Sequence, residues 1–522
     1  MNIDIRFRAG TEETRAREIR QREEECSSTI LTMSTRMGRR RQGVACKVEA
    51  ESRIASDTPL ARIIGKDGGT HPDAASPEGA GQTLSAPLHV RKSDIMRVQI
   101  ASLLALASVP FVAANGEGCG ASTSKTGWET VYTASGTADV AAAAATAKTS
   151  SPTSHVKGKV FDRIAFIWFE NTDFNLAAGD PNFARYAQKG IKLTSYYGVT
   201  HPSEPNYMAA IAGDYFGMQN DKFNRAPKNV STVMDLLEHR GISWGAYQED
   251  MPYSGYEGFE WVNHQNGRND YVRKHNPPVL MDSVTYSEKR LSQIKNISLT
   301  DPEHSQFHKD LKEDKLPQWI FITPNMTSDG HDSSVTVAGQ WCKTFLDPLL
   351  NDPNFMKNTL VVITWDENET YAKANNILGI LLGDAVPQHL VGTTDDSFYN
   401  HYSEIATVSA NWGLPSLGRW DVGANVYRFV GEKTGDKIRQ WSKKGNFQGH
   451  YWNESYAGPF NSGGGNPEFA APNLELDHNV AGRDILSSVK KEWKHSTVPT
   501  YYEDTIEIPD GLNPPKGYAP VA

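Results

Sequence analysis

"VFDRIAFIWFENTDF" (Val160–Phe174) opens with an apolar run and breaks into Glu170, Asn171, Thr172 and Asp173. The run is continuous rather than alternating, and rich in β-branched and aromatic residues. That pattern predicts a strand buried on both faces, as in a parallel sheet covered by helices. Outward from it, five more apolar segments read as strands: "IKLTSYYGV" (191–199), "ISWGAYQ" (242–248), "QWIFIT" (318–323), "TLVVITW" (359–365) and "NILGILLG" (376–383). Between them, "NFARYAQKG" (182–190) reads as a helix stopped by glycine. "STVMDLLEHRG" (231–241) reads as a helix capped by Ser231 and stopped by Gly241. "DPLLNDPNF" (347–355) and its upstream residues form a helical connection. Strands alternating with helices predict an α/β fold: a doubly wound, mainly parallel sheet with helices on both faces.

The flanks carry different signals. "MRVQIASLLALASVPFVAANG" starts at Met96 with a basic residue, continues as an apolar run from Ile100 to Ala114, and ends in small residues. This is the pattern of a secretory signal peptide. The run of 15 residues is short of the roughly 20 that span a bilayer. Residues 1–95, Arg-rich and rich in Ser, Gly and Pro, read as disordered or as lying upstream of a true start at Met96. A low-complexity linker is expected over 115–157, with "ADVAAAAATAKTSSPTSH" (Ala138–His155) at its heart. The folded body is then 158–430, followed by an irregular region over 431–522 that packs on the body or trails from it.

Residues 1–114 hold 17 Lys and Arg and 14 Asp and Glu, so the processed chain carries 36 against 48, a net charge of −12. Such an acidic protein is a poor nucleic-acid binder. No hydrophobic tail suggests a membrane anchor. Two of the four cysteines, Cys119 and Cys342, survive processing and are available for one disulfide. Sequons stand at Asn229, Asn296, Asn325, Asn368 and Asn453. N-glycans are expected at Asn229, Asn296 and Asn453, because Asn325 and Asn368 fall inside motifs that carry chemistry. The expected location is extracellular, or in a cell wall.

In a parallel sheet, chemistry gathers beyond the carboxyl ends of the strands. Here those ends carry "ENTDF" (Glu170, Asn171), "THPSEPNY" (200–207), "PNMTSDGHD" (Asn325, Asp329, His331) and "DENET" (Asp366, Glu367), while "FYNHYSE" offers His401. Singly, each cluster also reads as a cap or a turn. Together they supply the carboxylates and imidazoles that a divalent metal ion needs, with Ser203 among them as a nucleophile. No Gly-x-Ser-x-Gly elbow surrounds that serine. Pro202 and Pro205 stiffen the backbone on either side of it, at the start of a helix whose N–H groups favour phosphate.

The segments "FIWFENTDF", "THPSEPNYMAAIAGDYFG", "TPNMTSDGHD" and "ITWDENET" resemble the phosphoesterase family of fungal secreted acid phosphatases and bacterial phospholipase C-like enzymes. The resemblance is strongest to the phosphate-repressible fungal enzymes and spans Val160 to Phe429. It implies a fold like that of the alkaline phosphatase superfamily and hydrolysis of phosphate esters. It further implies Ser203 as nucleophile and a divalent metal held by Glu170, Asp366 and Glu367, with Asp329 and His401 as further ligands. Asn325, Asp329 and His331 compete for the third motif's role, with His331 carried as a catalytic candidate. Asn171, His201, Asn206 and Asn220 are expected around the substrate. Glu367 stands where relatives have histidine, which leaves the metal count open between one and two. A phospholipase C-type phosphodiesterase and a non-catalytic cell-wall glycoprotein are the alternatives to a phosphomonoesterase.

Overall fold

A computed structural model of the chain describes residues 137–263, 267–440, 452–461, 468–476, 482–506 and 508–518. The expected N-terminal extension, the signal peptide, Cys119 and the start of the linker lie outside the described residues.

Ten strands are described: β1 (Arg163–Phe169), β2 (Ile191–Tyr197), β3 (Trp244–Glu249), β4 (Glu260–Val262), β5 (Asn269–Val272), β6 (Ile294–Ile297), β7 (Trp319–Thr323), β8 (Thr359–Trp365), β9 (Asn376–Leu382) and β10 (Thr393–Asn400). Eight of them form one sheet in the order β10-β2-β9-β8-β1-β7-β3-β6. Every pairing in it is parallel except those of β9, which runs antiparallel to both β2 and β8. The ten residues between β8 and β9 are fewer than the dozen or more that a parallel crossover needs. All six sequence-predicted strands are present. β1 lies at the centre between β7 and β8, and from Ile164 to Phe169 its residues are fully buried, which accounts for its unbroken apolar sequence.

The differences from expectation have local causes. β6 and β10 are edge strands, short or polar enough to read as loops: "IKNI" is four residues long, and "TTDDSFYN" carries two aspartates. The helix Val233–His239 is capped by Thr232 rather than Ser231. The Thr232 N–H donates to Asp235 Oδ2 at 2.7 Å, closing a capping box one residue later than predicted.

The segment expected to be a linker is built into the body from Thr137 onward. Thr137–Ala144 is a helix with Val140 buried. Beyond it, Ser151 Oγ donates to Asp310 at 2.7 Å, while Ser154 Oγ and the Val156 N–H donate to Gln318 Oε1 at 2.6 and 2.8 Å. Small hydroxyl side chains make a sequence look featureless, yet they satisfy polar groups that neighbouring elements leave open. At the other end, three tyrosine hydroxyls converge on buried Asp214: Tyr501 at 2.5 Å, Tyr502 at 2.7 Å and Tyr456 at 3.1 Å. The described parts of the C-terminal region are therefore packed on the body. Cys342 is buried in the helix Val335–Leu349 and forms no disulfide among the described residues.

Candidate active site

β1 and β8 are adjacent and parallel, so the residues that follow them meet. The Glu170 N–H donates to the Asp329 carbonyl and the Asp366 N–H to the Phe169 carbonyl, each at 3.1 Å. Asn171 turns with φ 49° and donates its N–H to Asp366 Oδ1 at 3.1 Å. The Glu367 N–H reaches the same oxygen at 2.7 Å. β7 leads to a turn in which Asn325 Oδ1 accepts the N–H groups of Thr327 and Ser328, and this presents Asp329. Glu170, Asp329, Asp366 and Glu367 are all buried.

Ser203 is the first residue of the helix Ser203–Ala212, following Pro202. Its hydroxyl makes a short hydrogen bond to Glu170 Oε1 and stands 3.4 Å from Glu367 Oε1. Asn206 fixes the approach to it. Its Oδ1 accepts the Val199 N–H at 2.8 Å, and its Nδ2 donates to the carbonyls of Thr200 and Pro202. Gly198 lies on the same approach, where a Cβ would come within 2.8 Å of the Asp366 carbonyl oxygen.

Two site residues were not expected. The turn Arg273–His275, directly after β5, places Lys274 Nζ 3.3 Å from Ser203 Oγ, 3.1 Å from Asp221 Oδ2 and 3.7 Å from Glu170 Oε1. His275 lies between two carboxylates, with Nε2 3.1 Å from Glu170 and Nδ1 3.4 Å from Asp329. Its ring stacks on Tyr207, whose hydroxyl donates to Glu170 Oε2 at 3.3 Å. The one signal in "YVRKHNPP" (271–278) is a run of cationic side chains stopped by two prolines.

The other expected residues fall as follows. His201 is buried beside Glu367 Oε2 and stacks on Tyr371 at 3.8 Å. His331 is at the rim, with Nδ1 2.7 Å from Asp332 and its ring 6.4 Å from that of His275. Asn220 makes no hydrogen bond to Ser203; its amide donates to the Phe460 carbonyl at 3.0 Å, and its oxygen accepts from Lys222 and Asn224. Its neighbour Asp221 contacts the site instead, accepting the Glu204 N–H at 3.0 Å. That bond uses one of the helix N–H groups expected to face phosphate. His401 lies behind the carboxylates, 4.4 Å from the Trp168 ring, and its Nε2 contacts the Asp366 backbone carbonyl at 2.7 Å. It therefore lines the back wall, and His275 stands where an imidazole ligand was sought.

Charge explains how these groups coexist. Burial drives Glu170 upward, but the charges of His275 and Lys274 outweigh it and hold the carboxyl well below its ordinary pKa. Asp366 and Glu367 go the other way: burial, then repulsion by Glu170, raises both well above the ordinary range. Burial also raises Asp329, against the opposing pull of His275. Burial lowers His201 and His401 to about 3, so both imidazoles are neutral. Two groups of buried atoms lie within 4.8 Å of one another, Glu170–His275–Asp329 and Glu170–Asp366–Glu367, and they share Glu170. Asp366 Oδ2 has no hydrogen-bond donor, and only an imidazole nitrogen approaches each of Asp329 Oδ2 and Glu367 Oε2. Orphaned, mutually repelling carboxylate oxygens are what a divalent cation would satisfy, so the residues present fit one.

The fold and the site together define a class: a doubly wound α/β enzyme that gathers a serine, a lysine and buried carboxylates at its strand ends. The chain belongs to the phosphoesterase family, whose model matches residues 164–415. An acid phosphatase of Aspergillus fumigatus is 49% identical over 368 residues, which cover 69% of this chain and 79% of that protein. A phosphate-repressible acid phosphatase of Penicillium chrysogenum is 49% identical over 364 residues, covering 70% and 85%. A solved member of the alkaline phosphatase superfamily from Vibrio parahaemolyticus is 13% identical, covers 52% of this chain and 73% of its own, and superposes with a TM-score of 0.32.

Proposed function

We propose that this protein is a secreted acid phosphatase that hydrolyses phosphate monoesters through Ser203. The observation that carries the reading is the setting of Ser203 Oγ, bonded to Glu170 and 3.3 Å from the Lys274 ammonium at the start of a helix. Glu170, Asp366 and Glu367 would hold a divalent metal ion, and Glu170, His275 and Asp329 supply a second set of ligand atoms. When bound, such an ion supplies positive charge opposite the phosphoryl oxygens and the serine oxygen.

Ser203 Oγ attacks phosphorus. A P–O bond to the serine forms as the P–O bond to the alcohol breaks, and water then cleaves the phosphoserine to release phosphate and restore the hydroxyl. Glu170, held ionised, orients the serine hydroxyl through its short hydrogen bond and accepts its proton as the new P–O bond forms. Lys274 stabilises the negative charge that develops on Ser203 Oγ and on the phosphoryl group. His331, at the rim and paired with Asp332, is the group we assign to exchange protons with solvent on the His275 side of the site, while the departing alcohol takes its proton from water.

Secretion rests on the signal-peptide pattern at Met96. Among the described residues no helix is long and apolar enough to cross a membrane. We place N-glycans at Asn229, which is exposed, and at Asn296 and Asn453, whose amides already donate to the His304 and Tyr371 carbonyls. A glycosylated amide keeps one N–H, so both contacts are compatible with modification. Asn325 and Asn368 are buried, with amides donated to Asp250 and Asp173.

The test is turnover of p-nitrophenyl phosphate beside bis-p-nitrophenyl phosphate and phosphatidylcholine. Preference for the monoester is expected. Preference for either diester would assign the site to the phospholipase C type, and no turnover of any would leave a non-catalytic scaffold.

A further inference from the structure

At His201 and Pro202, which directly precede Ser203, a cavity of about 420 Å³ opens to solvent. One wall is Tyr371, whose ring stacks on His201 while 47% of the residue stays exposed. A second wall is Asn453, Glu454 and Ser455, and Gln219 also lines the cavity. This wall belongs to the C-terminal region, beyond the stretch that the family model matches. The two walls are joined: Asn453 Nδ2 donates to the Tyr371 carbonyl, and Asn375 Nδ2 donates to the carbonyls of both Thr200 and Trp452. Among the described residues no lysine or arginine lines the cavity, and Glu454 lines it with a carboxylate.

A monoester has only one part besides the phosphoryl group, the alcohol that leaves. A cavity lined by the two residues that directly precede the nucleophile is placed to receive that alcohol. We propose that this cavity is the leaving-group subsite, and that it takes uncharged or cationic alcohols that lie against Tyr371 and excludes those with further negative charge. An aromatic face that is open to solvent yet immobilised by stacking gives a planar or cationic group a surface to cover. Glu454 repels an additional phosphate, and no cation among the described lining residues offsets it. This inference rests on the phosphatase reading and adds the substrate class to it.

The experiment compares kcat/KM for p-nitrophenyl phosphate, glycerol 2-phosphate and inorganic pyrophosphate in the wild type, Glu454→Gln, Tyr371→Leu and Tyr371→Ala. It is run at about pH 6.5, where exposed carboxylates are ionised. Glu454→Gln is expected to raise the pyrophosphate to p-nitrophenyl phosphate ratio by about threefold to tenfold, and added salt to shrink the gain. Both Tyr371 variants are expected to lower the ratio of p-nitrophenyl phosphate to glycerol 2-phosphate by about fivefold or more, mainly through KM. Tyr371→Leu keeps the bulk, so the test survives a failure of the alanine variant to fold. Ratios that stay within about twofold of wild type in folded variants overturn the subsite while leaving the phosphatase reading intact. If the wild type turns over no monoester, it is the phosphatase reading that fails.

Discussion

Lys274→Met removes the cation nearest the nucleophile. The ammonium is 3.3 Å from Ser203 Oγ, and at that distance in an effective dielectric of about 20 two unit charges interact by about 5 kcal/mol, an upper bound on what is lost. The serine oxygen carries only part of a charge in the transition state. Removal of one preorganised donor from such a site typically costs about 3–4 kcal/mol, or about 10²–10³ in kcat. Methionine keeps the length and apolar body of the side chain, and Asp221 retains its second bond, to the Glu204 N–H at 3.0 Å. The loss should therefore appear in kcat with the fold intact by circular dichroism. The assay is steady-state turnover of p-nitrophenyl phosphate together with quench-flow capture of the phosphoenzyme, whose rate of formation should fall in step with kcat. A kcat within about threefold of wild type would show that Lys274 does not meet charge on the serine, and would refute the reasoning.

Ser203→Ala should abolish turnover and the trapped phosphoserine without lowering Tm by more than about 1 kcal/mol equivalent, whereas near-wild-type turnover would assign attack to water. Glu170→Gln and Asp366→Asn should each lower bound divalent metal measured by elemental analysis, and unchanged content in both would break the ligand assignment. With carboxylates in most ligand positions, kcat/KM for a monoester should peak on the acid side, at about pH 5, where a bound cation would keep the carboxylates ionised and the monoester, whose second pKa is about 6, enters as its monoanion. Glu367→His should move that peak upward, and an unmoved profile would mean that carboxylate ligation does not set it. Asp173 is pushed up by burial but brought down to about 2 by bonds from Lys373, Thr370 and Asn368. Its folded pKa is below its unfolded one, so its stabilisation is present above about pH 4 and is lost as pH falls through about 2. Asp173→Asn should thus lower stability by about 1–3 kcal/mol near neutrality. The Tm gap should close between about pH 4 and pH 2, and a gap that stays constant would refute the linkage.

The parallel core was legible because burial on both faces leaves its mark on every residue of a strand. "RIAFIWF" and "TLVVITW" have no other reading once their length is considered. Glu170, Asp366 and Glu367 were legible for the same reason, since a carboxylate directly after such a strand has no short path to solvent. Lys274 and His275 were not. They arrive from a two-stranded hairpin outside the main sheet, and nothing local records that Arg273–His275 returns to β1. His401 misled for the converse reason. It too follows a strand, but β10 is an edge strand of the sheet, and from there the side chain packs on Trp168 and meets the Asp366 backbone carbonyl rather than a site carboxylate.

The same asymmetry explains why the site's cations come from where they do. Strand ends at the middle of a parallel sheet are the driest positions available, and β1 and β8 use them for carboxylates: Glu170, Asp366 and Glu367. Carboxylates packed this closely raise one another's pKa, so the arrangement holds together only if positive charge is brought to them. Protein cations at those strand ends would fill the space with long side chains and neutralise the site permanently. Lys274 and His275, brought in on a hairpin, supply enough charge to hold Glu170 ionised, while Asp366 and Glu367 remain uncompensated. That residual deficit lies against Ser203, with Glu367 Oε1 3.4 Å from its hydroxyl, so a cation held there would lie against the oxygen proposed as the nucleophile.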